Sequence, residues 1–308
     1  MIELNEIQKR ILREVADLHK VPVGAFNIRS DGQSLGRTST ANIEIVPKDA
    51  GSGLDIYIKP GTKNESVHIP VVLTKSGYTE VVYNDFHIGE GADVVIVAGC
   101  GIDNCGNLDS RHDGIHRFYV GKGAKVKYVE KHYGSGDGKG KRILNPETEV
   151  YMEEDSQAEL EMVQIKGVDD TVRTTKAELG ANASLVVRER LMTHGEQKAV
   201  SKYVIDLNGE GSSADVVSRS VARDDSYQKF DAVINGNTAC SGHTECDAII
   251  MDRGRILAVP GLEANSVDAA LVHEAAIGKI AGDQIIKLMT LGLTESEAEE
   301  QIINGFLK

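Results

Sequence analysis

A chain of 308 residues with a formal net charge of −13 offers no basic stripe on which nucleic acid could be held. It contains no run of about 18 apolar residues, so neither a membrane-spanning helix nor a membrane partner is expected. Five Phe, nine Tyr and no Trp, against 32 Gly and six Pro, suit many short strands joined by tight turns rather than a thick aromatic core.

The opening Met1-Ile2-Glu3-Leu4 lacks the basic-then-apolar layout of a secretory leader, so a cytoplasmic location is expected. In a reducing compartment the four cysteines read as free thiols or metal ligands rather than disulfides. Residues 4–20 space Ile7, Ile11, Leu12, Val15 and Leu18 as the apolar side of a short surface helix. Residues 21–36 read as irregular. From Ala41 the hydrophobic period becomes two, through Leu54 to Ile58, Val67 to Leu73 and ten further short runs ending at Tyr227 to Ile234.

Several of these runs are introduced by one formula. Gly89-Glu90-Gly91-Ala92, Gly121-Lys122-Gly123-Ala124 and Gly180-Ala181-Asn182-Ala183 are close copies. Glu154-Asp155-Ser156-Gln157-Ala158 and Gly209-Glu210-Gly211-Ser212-Ser213-Ala214 are looser ones. With Ala92, Ala124, Ala158, Ala183 and Ala214 as markers, the repeat recurs at steps of 32, 34, 25 and 31 residues. Such a period predicts a mainly β chain, a parallel β-helix (solenoid) in which each coil stacks on the last, with a β-sandwich as the competing architecture.

After Pro260 the pattern reads as helical, with Leu271, Ala275, Ile277, Gly278 and Ile280 on one stretch. Asp283 is expected to cap a helix over 284–291, and Gly292 to stop it. Thr294-Glu295-Ser296-Glu297 is a capping box opening a last helix. The expected organisation is an N-terminal helical or irregular segment at 1–40, a β-helix core at 41–262 and a C-terminal helical segment at 263–308. Ile285, Ile286, Leu288, Met289, Ile302, Ile303 and Phe306 form apolar faces that two short helices cannot bury alone, and they are the expected partner-binding residues.

Two clusters carry soft metal ligands. Cys100, Cys105, His112 and His116 lie within 17 residues of what reads as one Gly-rich loop. Thiolate with imidazole suits zinc or the iron of an iron–sulfur cluster. The second cluster is Cys240, His243 and Cys246, with His273 and Glu274 downstream. If residues 240–246 are extended, alternation puts Cys240 and Cys246 on one face and His243 on the other. His273 and Glu274, read as helical neighbours, point about 100° apart. The stretch Gly134 to Arg142 does not fit the spacing of a phosphate-binding loop, and its lysines are not followed by Ser or Thr. No nucleophile elbow or dinucleotide fingerprint is present, so any ATP must be bound by another subunit.

The C-terminal motifs resemble the SufB/SufD family of iron–sulfur cluster assembly proteins. The residues concerned are Cys246-Asp247-Ala248-Ile249-Ile250, Val259-Pro260, Leu262-Glu263 and His273 to Ile280. Gln284, Leu288-Met289, Gly292-Leu293-Thr294-Glu295 and Ile303-Asn304-Gly305-Phe306 continue the match. The chain is shorter than typical SufB and looks like a minimal, archaeal or anaerobe-type version. The resemblance implies a β-helix that pairs with a second such chain, here as a homodimer, and C-terminal helices that dock the ABC-type ATPase SufC. It implies a non-catalytic scaffold that holds a nascent cluster, of the 4Fe–4S type, for transfer to apo iron–sulfur proteins. His273-Glu274 matches the family's His-Glu dipeptide, whose glutamate is implicated in assembly. The interval Met251 to Leu257 lacks the cysteine that larger SufB chains carry there. The favoured ligands are therefore Cys240 and Cys246 with Glu274 or His273, followed by His243 and the Cys100, Cys105, His112, His116 set. A SufD-like structural subunit without its own cluster and a β-solenoid carbohydrate-active enzyme are the alternative readings.

Overall fold

The computed structural model describes residues 4–49 and 51–308. Met1 to Glu3, on which part of the leader reading rests, lie outside them. A helix, α1 (Glu6–Ala16), opens the chain, with Asn5 and Gln8 forming its capping box. Residues that read as irregular form an antiparallel hairpin instead, β1 (Ala25–Ser30) and β2 (Gln33–Thr38). Asp31 and Gly32 take up positive φ at its tip, which lets two strands fit between Gly24 and Thr38.

The coils follow. They begin with β3 (Ile43–Pro47), β4 (Gly53–Ile58), β5 (Lys63–Leu73), β6 (Thr79–Ile88) and β7 (Asp93–Asp103). Next are β8 (Ser110–Val120), β9 (Lys125–Ser135), β10 (Arg142–Leu144), β11 (Glu147–Met152) and β12 (Gln157–Lys166). Then come β13 (Asp170–Leu179), β14 (Ser184–Thr193), β15 (Lys198–Leu207) and β16 (Ser213–Ala222). The last strands are β17 (Tyr227–Gly236), β18 (Cys240–Ile250), β19 (Arg255–Ala264) and β20 (Ala269–Gly278). Two helices, α2 (Gly282–Thr290) and α3 (Glu295–Phe306), close the chain.

Strands alternate between two sheets to give a β-solenoid of about eight turns. Sheet A runs β2-β1-β5-β7-β9-β12-β14-β16-β18-β20, and sheet B runs from β3 through β4, β6, β8, β10 with β11, β13, β15 and β17 to β19. From β4 onward every pairing is parallel, and each coil stacks its equivalent positions on the last. Inward positions of both sheets fill one core, in which Phe86 and Phe118 stack with centroids 4.6 Å apart. Stacked pairs of this kind add about 0.5–1.5 kcal/mol beyond their buried area.

The repeated formula is the turn that carries the chain from sheet B to sheet A. Its third residue takes up positive φ, at Gly91, Gly123, Asp155, Asn182 and Gly211. The fourth donates its N–H back to the first. Equivalent fourth residues are Ala92, Ala124, Ser156, Ala183 and Ser212, so the true steps are 32, 32, 27 and 29. Ala158 and Ala214 lie two residues beyond their turns.

Three readings need correction. Residues 269–278 are strand β20, so the β-structure runs past 262 and the helical stretch begins at Gly282. Asp283 lies in the first turn of α2, whose N-cap is Ala281 without a side-chain hydrogen bond. Cys100 to His116 is no single loop: Cys100 belongs to β7 and both histidines to β8. The capping box at Thr294 and Glu297 is present at α3.

Candidate metal centre

The outer face of sheet A carries alternating charges from coil to coil. Arg190 pairs with Glu161, Arg188 with Asp215 at 2.9 Å, and Asp215 with His243 at 2.8 Å. Towards the last coil the sign becomes predominantly negative. His243 and Glu245 are two residues apart on β18 and so share its outward face, and parallel pairing sets Glu274 of β20 beside Glu245. One ligand atom from each of His243, Glu245 and Glu274 lies within 4.8 Å of the others, the one such trio found among the described residues.

The trio has its supporting contact. His243 Nδ1 sits 2.8 Å from Asp215 Oδ1, which leaves Nε2 directed to the side where Glu274 Oε2 stands 3.7 Å away. A carboxylate on the remote imidazole nitrogen is the usual device for fixing the tautomer of a metal-binding histidine. The hydrogen bond to Asp215 raises the His243 pKa above its ordinary value, against the opposing effect of partial burial. The hydrogen bond to Asp247 raises that of Glu245, and burial adds to it. Two oxygens and one nitrogen suit a borderline or hard cation such as Fe2+.

The favoured thiols are elsewhere. Cys240 and Cys246 do share one face of β18, opposite His243, but that face is the inner one. Both belong to the hydrophobic core, and burial pushes the Cys246 thiol up to about 12. Six residue steps of strand separate them, roughly 20 Å, so one chain does not bring them onto one ion. His273 also points inward, where Nδ1 lies 2.7 Å from Thr244 Oγ1, while Glu274 points outward. Opposite faces of a strand, rather than a helical turn, separate the two members of the dipeptide.

The Cys100 cluster divides in the same way. Cys105 is exposed in the connection after β7 and donates to Asp103 Oδ2 at 3.4 Å. Cys100, His112 and His116 point into the solenoid and line one small cavity with Glu130 and His132 of β9. From there a buried polar chain runs along the interior. Asn84 donates to His116 Nε2 at 3.3 Å, His116 Nδ1 to the Tyr128 hydroxyl at 2.6 Å, and that hydroxyl to Glu130 at 3.0 Å. Arg173 joins Glu130 towards Glu189, which accepts from Ser201 and Ser218 at 2.6 and 2.7 Å.

Sequence reasoning missed Glu245, Asp215, Glu130 and His132. The signal for the first was in reach: Asn208, Asn237 and Asn265 form a hydrogen-bonded ladder at one turn of successive coils. Their even spacing marks one more coil after β18, which would have placed Glu274 beside Glu245.

At the C-terminus, Ile303 is buried with Val221 and Leu307, and Phe306 packs against them. These two expected partner-binding residues therefore serve the chain's own packing. Ile285, Leu288 and Ile302 are half-buried, whereas Ile286 and Met289 are exposed, as is Leu291 beyond the helix.

The family profile described as SUF system FeS cluster assembly, SufBD core domain, matches residues 74–306, the coils from β6 onward and both closing helices. The chain belongs to the SufBD family. Iron–sulfur cluster assembly SufBD family proteins of three archaea are similar along most of it. That of Methanothermobacter thermautotrophicus (strain Winter) is 31% identical over 235 residues, covering 74% of this chain and 55% of the relative. The Archaeoglobus fulgidus protein is 30% identical over 267 residues, 83% and 68% of the two chains. The Methanocaldococcus jannaschii protein is 27% identical over 256 residues, 82% and 79%. The chain thus spans little more than half the length of the first of these SufBD relatives. No helix among the described residues is long and apolar enough to cross a membrane.

Proposed function

We propose that this SufBD protein is the non-catalytic scaffold of an iron–sulfur cluster assembly complex, receiving iron of a nascent cluster at His243, Glu245 and Glu274. The observation that carries the reading is the convergence of those three side chains, with Asp215 behind the imidazole, on the outer face of the last coils. Imidazole and carboxylate hold iron less tightly than thiolate does, which suits a site that must release its cargo. The cluster, of the 4Fe–4S type, is cargo here, and a second copy of the chain supplies its remaining ligands. The exposed apolar side of α2, with Ile286 and Met289, is the docking surface for a SufC-like ABC ATPase, which supplies the hydrolysis. Apo iron–sulfur proteins receive the product.

Anaerobic reconstitution with iron and sulfide tests the site. Glu274→Gln and His243→Gln are expected to lose most of the bound iron and its visible absorption, whereas Cys240→Ser and Cys246→Ser keep both. The reverse pattern would return the ligand set to the thiols. A wild-type chain that takes up no iron in any form, yet still retains the ATPase on purification, is a SufD-like structural subunit. The carbohydrate-enzyme alternative finds little support. Tyr57, His87, Tyr119 and Tyr151 stack on one another along sheet B, which covers both ring faces of His87 and Tyr119 and one each of Tyr57 and Tyr151, leaving few faces as sugar platforms.

A further inference from the structure

The cavity between the sheets has a lining foreign to a hydrophobic solenoid core. Its volume is about 20 Å³. Sheet A contributes Cys100, Glu130 and His132 to it, and sheet B His112, Gly114 and His116, all buried. That volume holds one water or one ion. It is far too small for an iron–sulfur cluster.

Four features indicate what belongs there. First, His112 is 5% exposed and its Nδ1 has no hydrogen-bond partner. The nearest candidate, Glu80 Oε2, is 3.7 Å away and equally unpartnered. Buried groups of this kind destabilise the fold when left unsatisfied. Second, a Cβ on Gly114 would stand 3.1 Å from His116 Nε2 and 3.4 Å from His112 Nε2, so glycine keeps a gap open between two imidazoles. Third, a single guanidinium, Arg173, serves both Glu130 and Glu189, so that group of buried charges has one carboxylate in surplus. Fourth, donors remain available. Cys100 is a free thiol. His132 bonds Gln164 through Nδ1, while its Nε2 stands 3.7 Å from Glu130, beyond hydrogen-bond reach.

We propose that this cavity is a binding site for a single divalent transition-metal ion, held by His112, His132 and the thiolate of Cys100, with Glu130 neutralising its charge. Thiolate with imidazole is the donor set of Zn2+ and Fe2+. His116, engaged at both nitrogens by Asn84 and Tyr128, is a wall and not a ligand. Among the described residues only the outer trio reaches mutual ligand distance. The interior donors therefore close on the ion by side-chain rotation into the free volume. The thiol proton leaves as the ion enters, and it passes to solvent.

The site is independent of the outer trio, and its test runs in a chain carrying His243→Gln and Glu274→Gln. That protein is unfolded in chelator, refolded anaerobically with Zn2+, Fe2+ or Co2+, and freed of loose metal by gel filtration. The expected result is about one equivalent retained, with sulfur-to-metal charge-transfer absorption in the cobalt form. Adding Cys100→Ser should abolish that absorption, and adding His112→Gln should reduce retained metal to roughly a tenth or less. A folded background chain that retains no metal overturns the proposal and leaves the cavity to a water molecule. Retention that survives both substitutions overturns it equally. Should His112→Gln fail to fold, the cobalt absorption of the background chain and its loss in Cys100→Ser decide alone.

Discussion

Asp215 touches no ion in the proposed outer site, yet it governs how His243 presents itself. Its carboxylate holds Nδ1 and is itself held by Arg188. Asp215→Asn removes the charge but keeps the shape. Iron affinity at the outer site should fall about 10- to 100-fold with little change in thermal stability, read by anaerobic equilibrium dialysis and a melting curve. A second residue sets how the protein responds to acid. Burial lowers the His116 pKa to about 4, against the opposing pull of Glu130. The unfolded chain takes up this proton below about 6.5 and the folded chain does not. Acidification therefore favours unfolding through that window, by about 2 kcal/mol at pH 5 from this residue alone. Urea unfolding of metal-free protein at pH 7 and pH 5 should show the loss. In His116→Gln the difference between the two pH values should shrink by about that amount.

At the scale of elements, what could be read from the sequence depended on how local the determinant was. The cap of α3 is contained within four residues and was legible, whereas the equally local cap of α1, Asn5 with Gln8, went unread. The solenoid was legible because its turn formula requires positive φ at one position, which Gly, Asn and Asp supply repeatedly. Strand β20 was not. Its apolar spacing over Leu271, Ala275 and Ile277 also fits a helix, and what makes it a strand is the ten-residue pairing with β18. The ligand sets suffered from the same limit. Adjacency in sequence grouped Cys240 with Cys246 and His273 with Glu274, whereas the extended strand holds the two cysteines roughly 20 Å apart on its inner face and turns His273 and Glu274 to opposite faces.

The docking of α1 was equally hidden, since it depends on what Gly99 and Gly101 lack. A Cβ on Gly99 would lie 2.4 Å from the Val15 carbonyl oxygen and 2.9 Å from that of Lys131. Gly99→Ala should push α1 off sheet A and cost about 1–3 kcal/mol, visible as a lower urea midpoint. Gly278→Ala, which meets nothing within 4 Å, is the control and should leave the midpoint near wild type.

On the scale of the whole molecule, the two ends of the solenoid differ. At the N-terminal end both sheet edges are antiparallel strands, β2 and β3, and α1 covers part of sheet A. At the other end β19 and β20 are bare edges. Leu262 and Ile277, whose coil neighbours Ile234 and Ala248 are buried, stand 38% and 40% exposed because no further coil covers them. Unpaired edges beside exposed core positions invite another chain to pair there. A second copy meeting this end would bring two outer trios towards one interface, the arrangement the proposed scaffold requires. Leu262→Asp with Ile277→Asp places charge where that contact must be dry, while each single coil keeps its own hydrogen bonding. Light scattering is expected to give a dimer for the wild-type chain and a monomer for this variant, in which iron–sulfur reconstitution should fail although the single-chain trio is intact. A variant that stays dimeric would move the contact to another face. A monomer that still assembles a full cluster would mean that one chain suffices.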